Sequence, residues 1–155
     1  MTTQANNSKS YILFELAGTA YAVASGDVQQ MEMVEKITPV PNAPNFVDGV
    51  VFARGQVVPV VNLRARFGFE RIPCDMRTRL MVVSRSGRTV GLLIDTAREF
   101  VVLEEDAIKP PPETITGLSG KYLAGIASVG ERLVLILNVD EIIGFQDAPS
   151  APTVT

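Results

Sequence analysis

The sequence predicts an all-β protein of two small packed barrels, built from two copies of a unit of about five strands with short helical turns. Two observations carry that expectation. Short segments rich in Val, Ile and Leu recur with turn residues between them, the pattern of a barrel or sandwich. The text also repeats. Residues 46–69 read FVDGVVFARGQVVPVVNLRARFGF, and residues 122–145 read YLAGIASVGERLVLILNVDEIIGF. At one constant offset Gly49 meets Gly125, Val58 meets Val134, Asn62 meets Asn138, Gly68 meets Gly144 and Phe69 meets Phe145. Upstream, LAGTAYAV (16–23) echoes RSGRTVGL (85–92). A unit of roughly 70 residues buries a marginal core alone, so the halves are expected to share one.

The elements follow in chain order. Residues 1–9 are polar and read as a disordered tail. Segments 11–16 and 21–23 flank Gly18-Thr19 as a first hairpin. Segment 26–33 (GDVQQMEM) fits a short helix running into a strand. Segment 35–40 is extended, and Pro39, Pro41 and Pro44 mark an ordered crossing. Segments 47–52 and 56–61 form a second hairpin around Ala53-Arg54-Gly55. One helical turn follows, with Asn62 as its cap. Segment 72–77 is a loop between repeats. Segments 79–84 and 89–94 make a third hairpin across Ser86-Gly87. Segment 100–103 is a further strand, 104–106 an acidic turn, and 109–112 (KPPP) a stiff stretch. Segments 122–129 and 133–137 make the fourth hairpin. A last short helix over 138–144 starts at Asn138. The expected organisation is one domain over 10–146, with lobe one mainly 15–78 and lobe two mainly 79–138, and a disordered tail over 147–155.

Composition narrows the function. The chain has 155 residues, a net charge of −3, no His, no Trp and one Cys. No basic face is concentrated enough for nucleic acid, and no apolar run is long enough for a membrane span. The polar start lacks the apolar core of a signal peptide, so a cytoplasmic protein is expected. Without His, the Ser-His-Asp triad, the Cys-His pair and His-ligated metal sites drop out. Cys74, the single cysteine, makes an internal disulfide impossible, and Arg71 and Arg77 nearby are expected to lower its pKa. Even so activated, the thiol would lack a His base. SRSGR (84–88) fits no phosphate-loop spacing, and Glu104-Glu105-Asp106 reads as a solvated turn. Pro110–Pro112 is more often a stiff linker than a polyproline ligand.

A residue present in only one repeat is a candidate for function. Arg54, opposite Gly130, is the sharpest. Either a rigid turn presents its guanidinium to a partner's carboxylate or carbonyls, or it is a solvated hairpin residue. Asn62 and Asn138 begin both short helices, so capping suits them better than chemistry. Arg64 against Asp140 inverts charge at one place, marking a surface where the halves meet or diverge.

With these residues assembled, the chain resembles the CheW family of bacterial chemosensory adaptors over about 11–145. The family pattern G-V-x-N-L-R-G-x-x-x-P-V-x-D-L-R is matched by Gly49-Val50-Val51-Phe52-Ala53-Arg54-Gly55, then Pro59-Val60-Val61-Asn62-Leu63-Arg64. YILFELAGTAYAV, RTVGLLIDTAREFVVLEEDAIKPPP and YLAGIASVGERLVLILNVDEII extend the likeness. The resemblance implies two five-stranded SH3-like barrels, no enzyme activity and no cofactor. It implies a scaffold joining the cytoplasmic tip of a methyl-accepting chemoreceptor to a CheA-type histidine kinase, whose regulatory domain shares the fold and alternates with the adaptor in rings. Receptor contact is implied for Arg54 and Gly55, for Val28 and Gln30 in the family's V-x-E-I segment, and for Phe52. Kinase contact is implied for Asp48, Gly49 and Arg64. Asn62, Asn138, Gly68 and Gly144 are structural. Two departures stand out: Gln30 replaces the family's Glu, and Phe52-Ala53 replaces Asn-Leu. They open the alternative of a different chemosensory pathway, such as surface motility or second-messenger control. A kinase-binding competitor and a small-ligand-binding barrel stay open as other readings.

Overall fold

The computed structural model describes residues 8–53, 55–112 and 121–145. In chain order come β1 (Ser8–Leu16), β2 (Thr19–Ala24), a 3-10 turn (Ser25–Asp27), β3 (Val28–Met33), β4 (Val47–Ala53), β5 (Gln56–Asn62) and α1 (Leu63–Arg66). Then follow β6 (Arg79–Arg85), β7 (Arg88–Ile94), β8 (Thr96–Glu104), a second 3-10 turn (Glu105–Ala107), β9 (Ile108–Lys109), β10 (Leu123–Val129), β11 (Arg132–Leu137) and α2 (Val139–Ile143). The all-β expectation holds, with strands in two sheets and only short helices. The hairpins fall where the turn residues placed them. Ala17-Gly18 and Ser86-Gly87 each have two positive φ angles, the twist that suits a two-residue hairpin.

One sheet has the order β8-β1-β2-β11-β10-β9, the other β3-β6-β7-β5-β4. The sheets therefore do not divide where the two lobes were expected to divide. Hairpin β6–β7 joins the strands of the first repeat, and hairpin β1–β2 joins those of the second. Parallel pairs β5·β7 and β11·β2 make the two joins. The repeats have exchanged hairpins. Once exchanged, the orders match strand for strand, with β9 as the extra member of the first sheet. Its counterpart is a single bridge, Thr38 with Val50.

The exchange has a packing reason. Side chains alternate across a strand, and here both faces are buried. Tyr11, Leu13, Ala20 and Ala22 face a core inside the six-stranded sheet. Val60, Leu80, Val82 and Leu93 face one inside the five-stranded sheet. Their neighbours Ile12, Phe14, Tyr21, Val61, Met81 and Leu92 meet in the largest cluster, drawn from both sheets. That cluster is the shared core that units of this size require. Other boundaries shift modestly. Ser8 and Lys9, expected in the tail, pair with Glu104 and Leu103 in β1. β8 starts earlier than the expected strand, at Thr96.

The shared residues of the repeat now have reasons. A β-bulge follows Val47 and another follows Leu123, each just before the shared glycine. At Gly49 a Cβ would run into the Thr38 carbonyl, and at Gly125 into Ile108. Both glycines let the crossing segment lie against the sheet. Asn62 Oδ1 accepts from the Ala65 amide at 3.1 Å, and Asn138 Oδ1 from the Glu141 amide at 3.3 Å, so both cap their helices. Gly68 follows α1 with φ +88. Gly144 closes α2 with φ −86, where a side chain would meet the Asp140 carbonyl.

Candidate functional site

Under the hairpin exchange, β3 and β8 become equivalent edge strands of the two sheets, and a groove of about 510 Å³ lies between them. β3 contributes Val28, Gln29, Gln30 and Met31, while Ala97 and Phe100 come from β8 and Ile12 from β1. Its register slips between Val28 and Gln30, so Gln29 is left over as an exposed bulge residue while Val28 and Gln30 remain half-buried. The floor is apolar, and Arg98 and Glu99 bring one charge of each sign. Such a trough receives a helix better than it performs chemistry, since apolar walls with a polar rim suit an amphipathic partner.

The second predicted set lies elsewhere. Phe52 and Val57 are directly opposed across β4 and β5, and they are 75% and 64% exposed. The two apolar side chains lie side by side on the outer surface. Ala53 pairs with Gln56, and Gly55 has φ +79. Arg54 lies outside the described residues. β3 and β4 are the two ends of the five-stranded order, and no described hydrogen bond or ion pair joins Val28 or Gln30 to Phe52 or Gly55. The expected receptor residues thus occupy two places.

Asp48, Gly49 and Arg64 are engaged inside the fold. The Asp48 carboxylate accepts from Asn62 Nδ2 at 3.0 Å and from Arg71 Nε at 3.0 Å. Gly49 is buried against Thr38. Arg64 donates Nε to Asp95 Oδ1 at 2.9 Å and Nη2 to Asp95 Oδ2 at 2.8 Å, and Asp95 also accepts from the Ala17 amide. The hydrogen bonds to Asp95 chiefly raise the Arg64 pKa. Arg64 therefore ties α1 to the turn of β1–β2 in the opposite sheet. Asp140 does the same for α2. It accepts from Ser86 Oγ at 2.8 Å and from Arg85 Nε at 2.9 Å, at the turn of β6–β7. Of the two readings the charge inversion allowed, a surface where the halves meet or one where they diverge, the contacts show the first.

Cys74 corrects an expectation. Its pKa is raised, first by burial and then by the carboxylates of Asp48 and Asp75, so the thiol is less reactive than its arginine neighbours suggested. No group of His, Cys, Asp and Glu that could hold a metal occurs among the described residues. No described helix is long and apolar enough to cross a membrane. Phe100 and Val57 were not singled out from sequence, whereas Met31 ends the segment that resembles V-x-E-I. For Phe100 a signal existed. Arg98, Phe100, Val102 and Glu104 are all exposed at a spacing of two, and two apolar residues on an outward face suggest a covered surface.

The model of the CheW-like domain matches residues 10–146. A chemotaxis protein CheW from Thermotoga maritima is 33% identical over 151 residues, covering 92% of this chain and 94% of the relative. The chemotaxis protein CheW of Helicobacter pylori is 34% identical over 135 residues, covering 86% and 80%. The crystal structure of a scaffolding protein, CheW from Thermoanaerobacter tengcongensis, superposes with a TM-score of 0.78 at 29% identity, over 84% of this chain and 88% of that one. With a match across nearly its whole length, the chain belongs to the CheW-like domain family.

Proposed function

We propose that this chain is a non-enzymatic scaffold that couples methyl-accepting chemoreceptors to a CheA-type histidine kinase at cytoplasmic receptor arrays. The observation that carries the reading is the groove between β3 and β8, lined by Val28, Gln30, Met31 and Phe100. It offers an apolar trough to the helical hairpin of a receptor, which reads as helix-in-groove recognition. Arg54, between β4 and β5 in sequence, supplies that partner with a second, separate contact through its planar donors. Asp48, Gly49 and Arg64 act on kinase binding through the shape of the sheet and helix they brace.

Gln30 and Phe52 favour a partner in an alternative chemosensory pathway. Gln30 places an amide where the family pattern has a carboxylate, and Phe52 is 75% exposed. A receptor matched to this chain presents an apolar residue to Phe52 and no basic residue to Gln30. Arg54→Ala and Arg54→Glu should weaken co-sedimentation with receptor-bearing membranes by about ten-fold or more, while kinase pull-down stays unchanged. Undiminished co-sedimentation of both variants would remove Arg54 from the receptor contact. Failure of the unaltered chain to bind either protein on reconstitution would end the adaptor reading.

A further inference from the structure

A second cavity, of about 500 Å³, lies at the junction of the two repeats, away from the β3–β8 groove. We propose that it binds a small aromatic carboxylic acid, with the ring among the aromatic walls and the carboxylate on Arg66. Five aromatic side chains line it: Tyr21, Phe46, Phe67, Phe69 and Tyr122. Its volume is in the range of small-molecule sites, and rings at several orientations accept an aromatic guest by offset or edge contacts. Phe67 lies 5.7 Å from Tyr21 and 5.2 Å from Tyr122 between ring centroids, so the wall is a continuous aromatic surface.

Arg66 makes the site selective for an anion. Its guanidinium carbon sits 4.2 Å from the Phe46 ring centroid and 5.2 Å from that of Tyr122. Nε donates to the Ile142 carbonyl and Nη2 to the Glu141 carbonyl, each at 3.1 Å. Both acceptors are neutral. Among the described residues no carboxylate lies within ion-pair distance of Arg66; Arg79 and Arg88 share that feature, but neither lines the aromatic cavity. Nη1 has no acceptor among the described residues, and burial lowers the Arg66 pKa by more than the nearby Tyr122 and Glu141 raise it. Lys121, also on the lining, is 3.9 Å from the Glu141 carboxylate. Two cations and one carboxylate leave the rim one positive charge in excess. A half-buried arginine facing an aromatic cavity gains most from a planar carboxylate that brings its own apolar body.

The proposal stands apart from the adaptor reading, because it uses no residue of the β3–β8 groove. The test titrates the full chain with phenylbutyrate and with its neutral analogue phenylbutyramide, following amide shifts by NMR. The acid should bind saturably, move the resonances of the lining, and bind about ten-fold or more tighter than the amide. Arg66→Gln should erase that preference, and Arg66→Lys should restore part of it. Because Arg66 also braces α2, Leu135→Trp supplies a second arm: it fills the cavity, keeps the cation and should abolish binding of both probes. Equal affinity for acid and amide overturns the proposal, as does saturable binding that survives Leu135→Trp. No binding of either probe also overturns it.

Discussion

Residues 64 and 140 hold the same place in the duplicated text, one an arginine and the other an aspartate. Each ties its helix to a hairpin turn in the opposite sheet. The difference in wiring follows from hydrogen-bond chemistry. Asp140 is an acceptor and takes bonds directly from Ser86 and Arg85. Arg64 is a donor, and so is the Ala17 amide it must reach, and two donors cannot bond each other. Asp95 stands between them and accepts from both. The two regions also differ in depth. The Arg64 and Asp95 side chains are 17% and 21% exposed, those of Arg85 and Asp140 49% and 46%. The first repeat thus carries the more buried braces, and in it lie both the bulge residue Asp48, where the second has Ala124, and Arg54, where the second has Gly130.

With that asymmetry, equivalent substitutions should hurt the first repeat more. The largest effect is expected at the shared glycine. Gly49 has φ +148 and meets the backbone of Thr38, which cannot step aside, whereas the first obstacle at Gly125 is an Ile108 side chain that can. Gly49→Ala should lower stability by about 3 kcal/mol and Gly125→Ala by about 1 kcal/mol in urea unfolding. Equal losses would mean that the crossing segment moves freely in both halves.

The caps come next. Asn62 is 6% exposed and bonds both the Ala65 amide and Asp48, whereas Asn138 makes a single, longer bond. Asn62→Ala should cost about 2 kcal/mol and Asn138→Ala about 0.5–1 kcal/mol, read from the same unfolding curves. Reversal of that order would show that Asp48 contributes nothing to the first cap.

The latches give the smallest effects, with a dependence on pH. Burial works to raise the Asp95 pKa, but the bonds from Arg64 and the Ala17 amide, with the charges of Arg64 and Arg77, outweigh it and hold the carboxyl below its usual value. A carboxyl whose folded pKa is depressed stabilises fully above the unfolded value, about 4, and loses that contribution as pH falls through the folded value. Asp95→Asn should therefore cost about 1 kcal/mol at neutral pH and flatten the loss of stability on acidification. Asp140 is also held low, first by Arg85 and Ser86, but at an exposed site. Asp140→Asn should change the acid limb less than Asp95→Asn does, and an equal or larger change would place the stronger latch in the second repeat.

Much of this was legible before the structure. Gly18, Gly87 and the doubled text marked four hairpins, and Asn62 and Asn138 marked two caps, because turn and cap chemistry is local. The partner of a hairpin is not local. Strands β1 and β6 are apolar on both faces, and the text allows each to join either sheet. The placement of Val28 and Gln30 in a groove shared with Phe100 depends on that choice, as does their separation from Phe52. Cys74 was misjudged for a similar reason. Arg71 and Arg77 lie near it in sequence, but so does Asp75, and burial and Asp48 reach it only through the fold.

By itself, the sequence determined the duplication, the strands and turns, the capped helices and the positions where the two copies differ. All of these follow from backbone geometry and side-chain periodicity within a few residues. Only the tertiary structure decided that the repeats exchange hairpins, that Arg64 and Asp140 brace the halves through different chemistry, and that Arg66 lies without a carboxylate beside an aromatic cavity. Those depend on which apolar faces meet, a choice made by burying the most surface across the whole chain.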